Sequence, residues 1–163
     1  MYGMKKIVNL LTFLLAIPLC GCLLHADNQQ HSNRPKAKSN AEWKKILTDN
    51  QYYIMVEKGT EPPFKNAYYN NHEKGVYISA ATGDVLFSSE DKYDSGTGWP
   101  SFVKPVNEKL IEVVVDNSYG MTRNEVIERS TGLHLGHVFD DGPEDRGGKR
   151  YCMNSGALKF IKK

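Results

Sequence analysis

From Gly75 onward this chain is cut into short pieces, and that pattern limits what it can fold into. Segments rich in Val, Ile, Tyr and Phe run for only a few residues before Gly, Asn, Asp or Ser interrupts them. Runs of that length bounded by turn residues read as strands. Gly75 to Ser79 predicts one strand and Val85 to Phe87 another, with Thr82-Gly83-Asp84 turning between them. Leu110 to Asp116 and Met121 to Glu128 predict a hairpin around Asn117-Ser118-Tyr119-Gly120. Leu135 to Phe139, Lys149 to Asn154 and Ala157 to Ile161 complete the set, the last two separated at Ser155-Gly156.

Helical spacing is confined to the segment before these strands. Asn40 is a good N-cap for a short helix over Ala41 to Leu47, with Trp43, Ile46 and Leu47 on one face. A second short helix is expected from Asn50 to about Glu57, stopped by Gly59 and then Pro62-Pro63. The expected fold is mainly β: antiparallel strands with two short N-terminal helices, and no internal repeat.

The N-terminus reads as an address. Lys5 and Lys6 precede an apolar stretch, Ile7 to Leu19, of 13 residues. A bilayer span needs roughly 20, whereas a secretory signal needs a charged start and a shorter apolar centre. The stretch ends Leu19-Cys20-Gly21-Cys22, which resembles the lipobox of bacterial lipoproteins. That resemblance implies a signal peptide over 1–21, with Cys22 as the lipidated first residue of an exported, membrane-anchored protein. Cleavage after Leu24-His25-Ala26 is the alternative, giving a soluble secreted or periplasmic protein, and an uncleaved anchor is a third. Residues 22–39 form a polar stretch with Pro35, expected to be a flexible tether to a domain over 40–163.

Charge and cysteine content exclude some functions. The chain has 21 basic and 19 acidic residues, and with Lys5 and Lys6 removed the two are equal. Such a domain lacks the positive field of a nucleic-acid binder. Of the three cysteines, Cys20 and Cys22 belong to the address segment. Cys152 then has no partner, which rules out a disulfide scaffold and a cysteine-based metal site.

Three segments carry chemistry: Ser95 to Phe102 (SGTGWPSF), His134 to Pro143 (HLGHVFDDGP) and Arg150 to Ser155 (RYCMNS). Strand alternation puts Arg150, Cys152 and Asn154 on one face. An arginine beside a cysteine favours thiolate and lowers the pKa, and Asn154 can donate to a substrate oxygen or to the thiolate. Taken alone, Cys152 reads first as a buried structural cysteine. His134 and His137 are candidate proton donors beside Asp140 and Asp141; two histidines and an aspartate are also a possible zinc set, though in no standard spacing. Trp99, on a Gly-rich turn, would wall a small apolar ligand or sit in the core.

Together these motifs resemble the methionine-(R)-sulfoxide reductases, over a span from about Glu42 to Phe160 that includes Thr60-Glu61-Pro62-Pro63-Phe64. The resemblance implies two antiparallel sheets with the site in a shallow groove. It implies Cys152 as nucleophile, passing through a sulfenic acid, with His137 and His134 supplying and orienting a proton. Trp99 would hold the substrate methyl group, with Val138 and Phe139 beside it. Arg150 and Asn154 would tune the cysteine, and Asp141 would orient the histidines. The implied partners are oxidised proteins carrying methionine (R)-sulfoxide and a thioredoxin-like or other external thiol; no bound cofactor is implied.

The chain departs from the family at two places. Many members hold a structural zinc with two CxxC pairs; here those positions are Ser79, Thr82, Glu128 and Thr131, so zinc is expected to be absent. Many members also carry a resolving cysteine in the Gly-rich turn, where this chain has Thr97. A one-cysteine cycle with direct external reduction is expected. Two other functions fit the residues: an acyl-transfer triad of Cys152, His137 and Asp141, and a non-catalytic binding module.

Overall fold

The computed structural model describes residues 33–163, so the signal segment, Cys22 and most of the tether lie outside the described residues. Helix α1 (Asn40–Ile46) and helix α2 (Asp49–Met55) each begin one residue earlier than expected. The reason is a capping box on each. Ser39 Oγ accepts from the Glu42 amide while the Glu42 carboxylate accepts from the Ser39 amide at 2.9 Å, and Thr48 pairs with Gln51 in the same way. Trp43 and Leu47 are buried, but Ile46 is 52% exposed. A two-turn helix buries only a narrow stripe, and the i, i+4 pair fills it.

Nine strands follow: β1 (Gly75–Ser79), β2 (Val85–Ser88), β3 (Lys92–Tyr93), β4 (Ser101–Phe102), β5 (Ile111–Asp116), β6 (Arg123–Glu128), β7 (His134–Phe139), β8 (Arg150–Met153) and β9 (Leu158–Lys162). They form two antiparallel sheets, ordered β2-β1-β9 and β3-β4-β8-β7-β6-β5. The mainly β expectation holds. The two-residue strands β3 and β4 have no sequence signal of their own, being too short for a period-two pattern to register.

The sheets meet through aromatic rings. Tyr77 and Phe87 from the smaller sheet pack on Phe102 of the larger one, at centroid distances of 5.0 and 4.5 Å. Such pairs contribute about 0.5–1.5 kcal/mol beyond the area they bury. The buried Tyr77 hydroxyl is satisfied by the Asn71 amide at 3.1 Å, and burial pushes its pKa up to about 12. Ile54 and Met55 of α2 close the core from outside the sheets.

The last part of the tether is pinned to the domain. Arg34 donates to Glu112 and to the Arg129 carbonyl, both at 2.8 Å, and the Lys36 backbone amide donates to the Ser130 carbonyl at 2.8 Å. Polarity alone suggested a free linker; specific ion pairs give this stretch a docking place that composition does not show.

Candidate active site

The larger sheet lines up one row of side chains across all six of its strands. Tyr93 pairs with Ser101, Ser101 with Cys152, Cys152 with His137, His137 with Glu125, and Glu125 with Val114. Directly opposed residues in antiparallel strands point to the same face. The row therefore brings a phenol, a hydroxyl, a thiol, an imidazole and a carboxylate together from five separate segments of sequence. Gly136 permits the central approach: a Cβ there would lie 2.2 Å from the Cys152 carbonyl oxygen and 2.9 Å from Met153 Cα.

His134 joins the same face through an irregularity. Val126 pairs with Gly136 but Ile127 pairs with His134, so Leu135 is an extra residue in β7. Strict alternation would put His134 and His137 on opposite faces. The bulge instead sets their rings 5.3 Å apart. Each histidine has its own carboxylate. His134 Nδ1 meets Glu125 at 2.8 Å, and His137 Nε2 meets Asp116 at 2.8 Å. Carboxylates only accept, so these two nitrogens carry the protons, leaving His134 Nε2 and His137 Nδ1 as the remaining ring nitrogens. Glu125 is further held by Lys58 at 3.1 Å, and Asp116 by Arg123 at 2.7 Å.

Electrostatics follow from burial. Desolvation pushes the His137 pKa below the ordinary imidazole value, and the bond to Asp116 offsets only part of this. Asp116 is itself partly desolvated, but the bonds from Ser118 and His137 and the charge of Arg123 hold it well below the usual carboxylate range. Burial raises the Cys152 thiol above its ordinary value, outweighing the opposing pull of Arg150, Thr97 and Ser101. The arginine was expected to lower this pKa; it acts in that direction, but desolvation wins. Both shifts favour the uncharged pair, a thiol beside a neutral imidazole.

One segment outside the three motifs, around Glu61 and Phe64, ties the Gly-rich turn to the end of β8. Trp99 Nε1 donates to the Glu61 carbonyl at 2.9 Å, which fixes the indole at the end of the Gly-rich turn. The Glu61 carboxylate accepts from the backbone amides of Ser155 and Gly156, just past the cysteine strand. Gly98, at φ +88, lets that turn approach Phe64, whose amide bonds the Gly98 carbonyl at 2.9 Å.

A SelR domain family model matches residues 47–162. The chain is also 53% identical over 125 residues to a protein of Leptospira interrogans serogroup Icterohaemorrhagiae serovar Lai (strain 56601) named "Peptide methionine sulfoxide reductase MsrB". That match covers 77% of this chain and 95% of the Leptospira protein. The chain belongs to the SelR-domain family of methionine sulfoxide reductases.

In this family member several expected roles are corrected by the geometry. Asp141 bonds neither histidine: it takes a two-pronged bond from Arg150 Nε and Nη2, each at 2.8 Å. The histidine carboxylates are Asp116 and Glu125, which no motif around His134–Pro143 announces because they lie on β5 and β6. Asn154 lies just past the end of β8, so alternation does not extend to it. Its amide donates to the Leu135 carbonyl at 3.2 Å and stands 3.5 Å from His134 Nε2, while its oxygen accepts from the Glu61 amide. It positions His134 and Glu61 rather than donating to Cys152. Val138 is buried in the core on the opposite face from His137, and so is no part of a substrate wall. Phe139 shares the face of His137, with its ring under the Arg150 guanidinium at 4.4 Å.

The positions of the family's zinc cysteines do converge in this reductase, but as a hydrogen-bonded cluster. Thr82 and Thr131 each donate a hydroxyl to one oxygen of the buried Glu128 carboxylate. Three hydroxyl side chains and one committed carboxylate do not fit zinc. Among the described residues no group of three or more His, Cys, Asp or Glu could hold a metal ion.

Proposed function

We propose that this chain reduces methionine (R)-sulfoxide in oxidised proteins, using external thiols and Cys152 as the nucleophile. The observation that carries the reading is the row placing Cys152 directly between His137 and Ser101, within a domain of this family. His137 gives Nε2 to Asp116, so Nδ1 is the nitrogen available to take the thiol proton. The thiolate attacks the sulfoxide sulfur, and the imidazolium returns that proton to the departing oxygen. The oxygen passes to Cys152 as a sulfenic acid and methionine leaves. Two external thiols then regenerate the enzyme: one forms a mixed disulfide as water leaves, and the second releases Cys152. The proton needed by the oxygen comes from Cys152 itself, which is why a raised thiol and a lowered imidazole suit the step.

Trp99 serves as the apolar wall for the substrate methyl group, with Phe139 beside it, and Asn154, Arg150 and Asp141 act as positioning residues. Thr97 in the Gly-rich turn favours a one-cysteine cycle with a thioredoxin-like or small-thiol reductant, without bound cofactor, zinc or nucleic acid. The charged start, apolar stretch and lipobox-like Leu19-Cys20-Gly21-Cys22 support export and a lipid anchor on Cys22, with soluble secretion as the alternative. Repair of proteins outside the cytoplasm follows from that placement.

The test supplies each epimer of a blocked methionine sulfoxide to the full chain with dithiothreitol, wild type beside Cys152→Ser. Turnover of the R epimer only, lost in the variant, is expected. Folded protein that turns over neither epimer would return the domain to the binding-module reading.

A further inference from the structure

Cys152 has two unlike sides, and the reaction above uses one. Toward β7 lie the two histidines and their carboxylates. Toward β4 and β3 lie hydroxyls. Ser101 is fully buried, and its Oγ meets Ser95 Oγ at 2.7 Å, which in turn meets Thr97 Oγ1 at 2.8 Å. Beyond Ser101 in the same row is Tyr93. Its phenolic oxygen is buried and has no hydrogen-bond partner.

An orphan phenol here calls for a physical reason. A buried donor without an acceptor is destabilising, and phenylalanine would fill the same space without it. The charges acting on the phenol are those of Arg150, Asp141, Cys152 and Arg146, so it stands within the field of the site. Neighbouring strands lie about 4.8 Å apart, so about 10 Å separates the Tyr93 and Cys152 backbones along the row, and both side chains rise from the same face of the sheet. The reduced cysteine offers this phenol a thiol, a poor acceptor. A cysteine that has taken an oxygen offers a good one.

We infer that the hydroxyl side of the site, with Tyr93 as principal donor and Ser101 and Thr97 beside it, holds the oxygen of the Cys152 sulfenic acid. This rests on the reductase reading and adds a task to it. Oxygen transfer converts thiol and sulfoxide to sulfenic acid and thioether, so no further oxidant enters. With threonine in place of a resolving thiol, the sulfenic acid must persist until an external thiol reaches it. During that interval hydrogen peroxide can add a second oxygen, giving sulfinic acid and water. A hydrogen bond to the sulfenic oxygen restrains the group and slows that loss.

The experiment uses the full chain and Tyr93→Phe, reading two rates separately. Methionine released per enzyme without reductant measures oxygen transfer. The later gain of a second oxygen on Cys152 under hydrogen peroxide, followed by intact mass, measures loss of the sulfenic acid. In the variant the second rate is expected to rise roughly five- to tenfold relative to the first, the scale of one hydrogen bond. The thermal midpoint of the sulfenic form should also fall relative to that of the reduced form, which a purely structural tyrosine would not cause. Equal rate ratios in the two proteins would overturn the inference. Absence of methionine release by the wild type is a separate outcome: it removes the reductase reading and this one with it.

Discussion

His137 and Cys152 are direct cross-strand partners, and His137 is held from behind by Asp116 at 2.8 Å. The pair dictates a pH dependence. In the proposed step the thiol gives its proton to neutral His137, so the single-turnover rate is expected to fall on the acid side as the imidazole protonates. Burial lowers that pKa, which places the acid limb below the ordinary histidine value of 6.5. Asp116 opposes the lowering, so Asp116→Asn should move the acid limb further down while reducing the plateau about tenfold. A limb that moves upward would contradict the assignment.

Arg150 and Asp141 separate stability from activity. The Asp141 side chain is 61% exposed, so solvent screens the pair and Asp141→Ala should cost under about 1 kcal/mol by denaturant titration. Activity should fall more, because Arg150 loses the fork that holds it over Phe139. Arg150→Met should raise the pH at which iodoacetamide alkylates Cys152. Arg150→Lys should raise it less, since the charge remains and the two-pronged geometry does not.

Thr97 bonds Ser95, which bonds Ser101, the cross-strand neighbour of Cys152. Replacing it by cysteine supplies a thiol within reach of the sulfenic acid. After one turnover without reductant, Thr97→Cys should lose both thiols to an internal disulfide, counted by thiol titration and located by peptide mass. A second thiol that stays free would show that the Gly-rich turn cannot close on β8.

The Glu128 cluster links the turn after β1 to the turn after β6 by hydrogen bonds. Glu128→Ala leaves two hydroxyls without their acceptor and should destabilise the domain by about 2–3 kcal/mol. Treatment of the wild type with a strong chelator should leave its thermal midpoint unchanged. A midpoint that drops on chelation would mean that metal is bound.

Much of this molecule is legible in one dimension because the relevant physics is local. Turn residues cut the chain into the strands that form, apart from β3 and β4, and Trp43 and Leu47 mark the buried stripe of α1. The capping boxes at Ser39 and Thr48 are equally local, and reading them would have placed both helix starts correctly. Two of the motifs deliver His134, His137, Arg150 and Cys152 to one face because short antiparallel strands bring them into register.

The pairings that sequence does not reveal join partners from distant parts of the chain. Asp116 and Glu125 serve the histidines only because β5 and β6 lie beside β7. The extra residue at Leu135 turns His134 to the face of His137, against the alternation that its spacing implies. Asn154 spends its amide on the backbone at Leu135, and Val138 goes to the core because its neighbour His137 faces the site. The thiol's acidity likewise depends on packing: Arg150 favours the thiolate, but burial, a property of the folded domain, opposes it more strongly. Local motifs mark the residues proposed to carry the chemistry; long-range packing sets how each is paired, because hydrogen bonding and desolvation depend on neighbours that linear spacing does not contain.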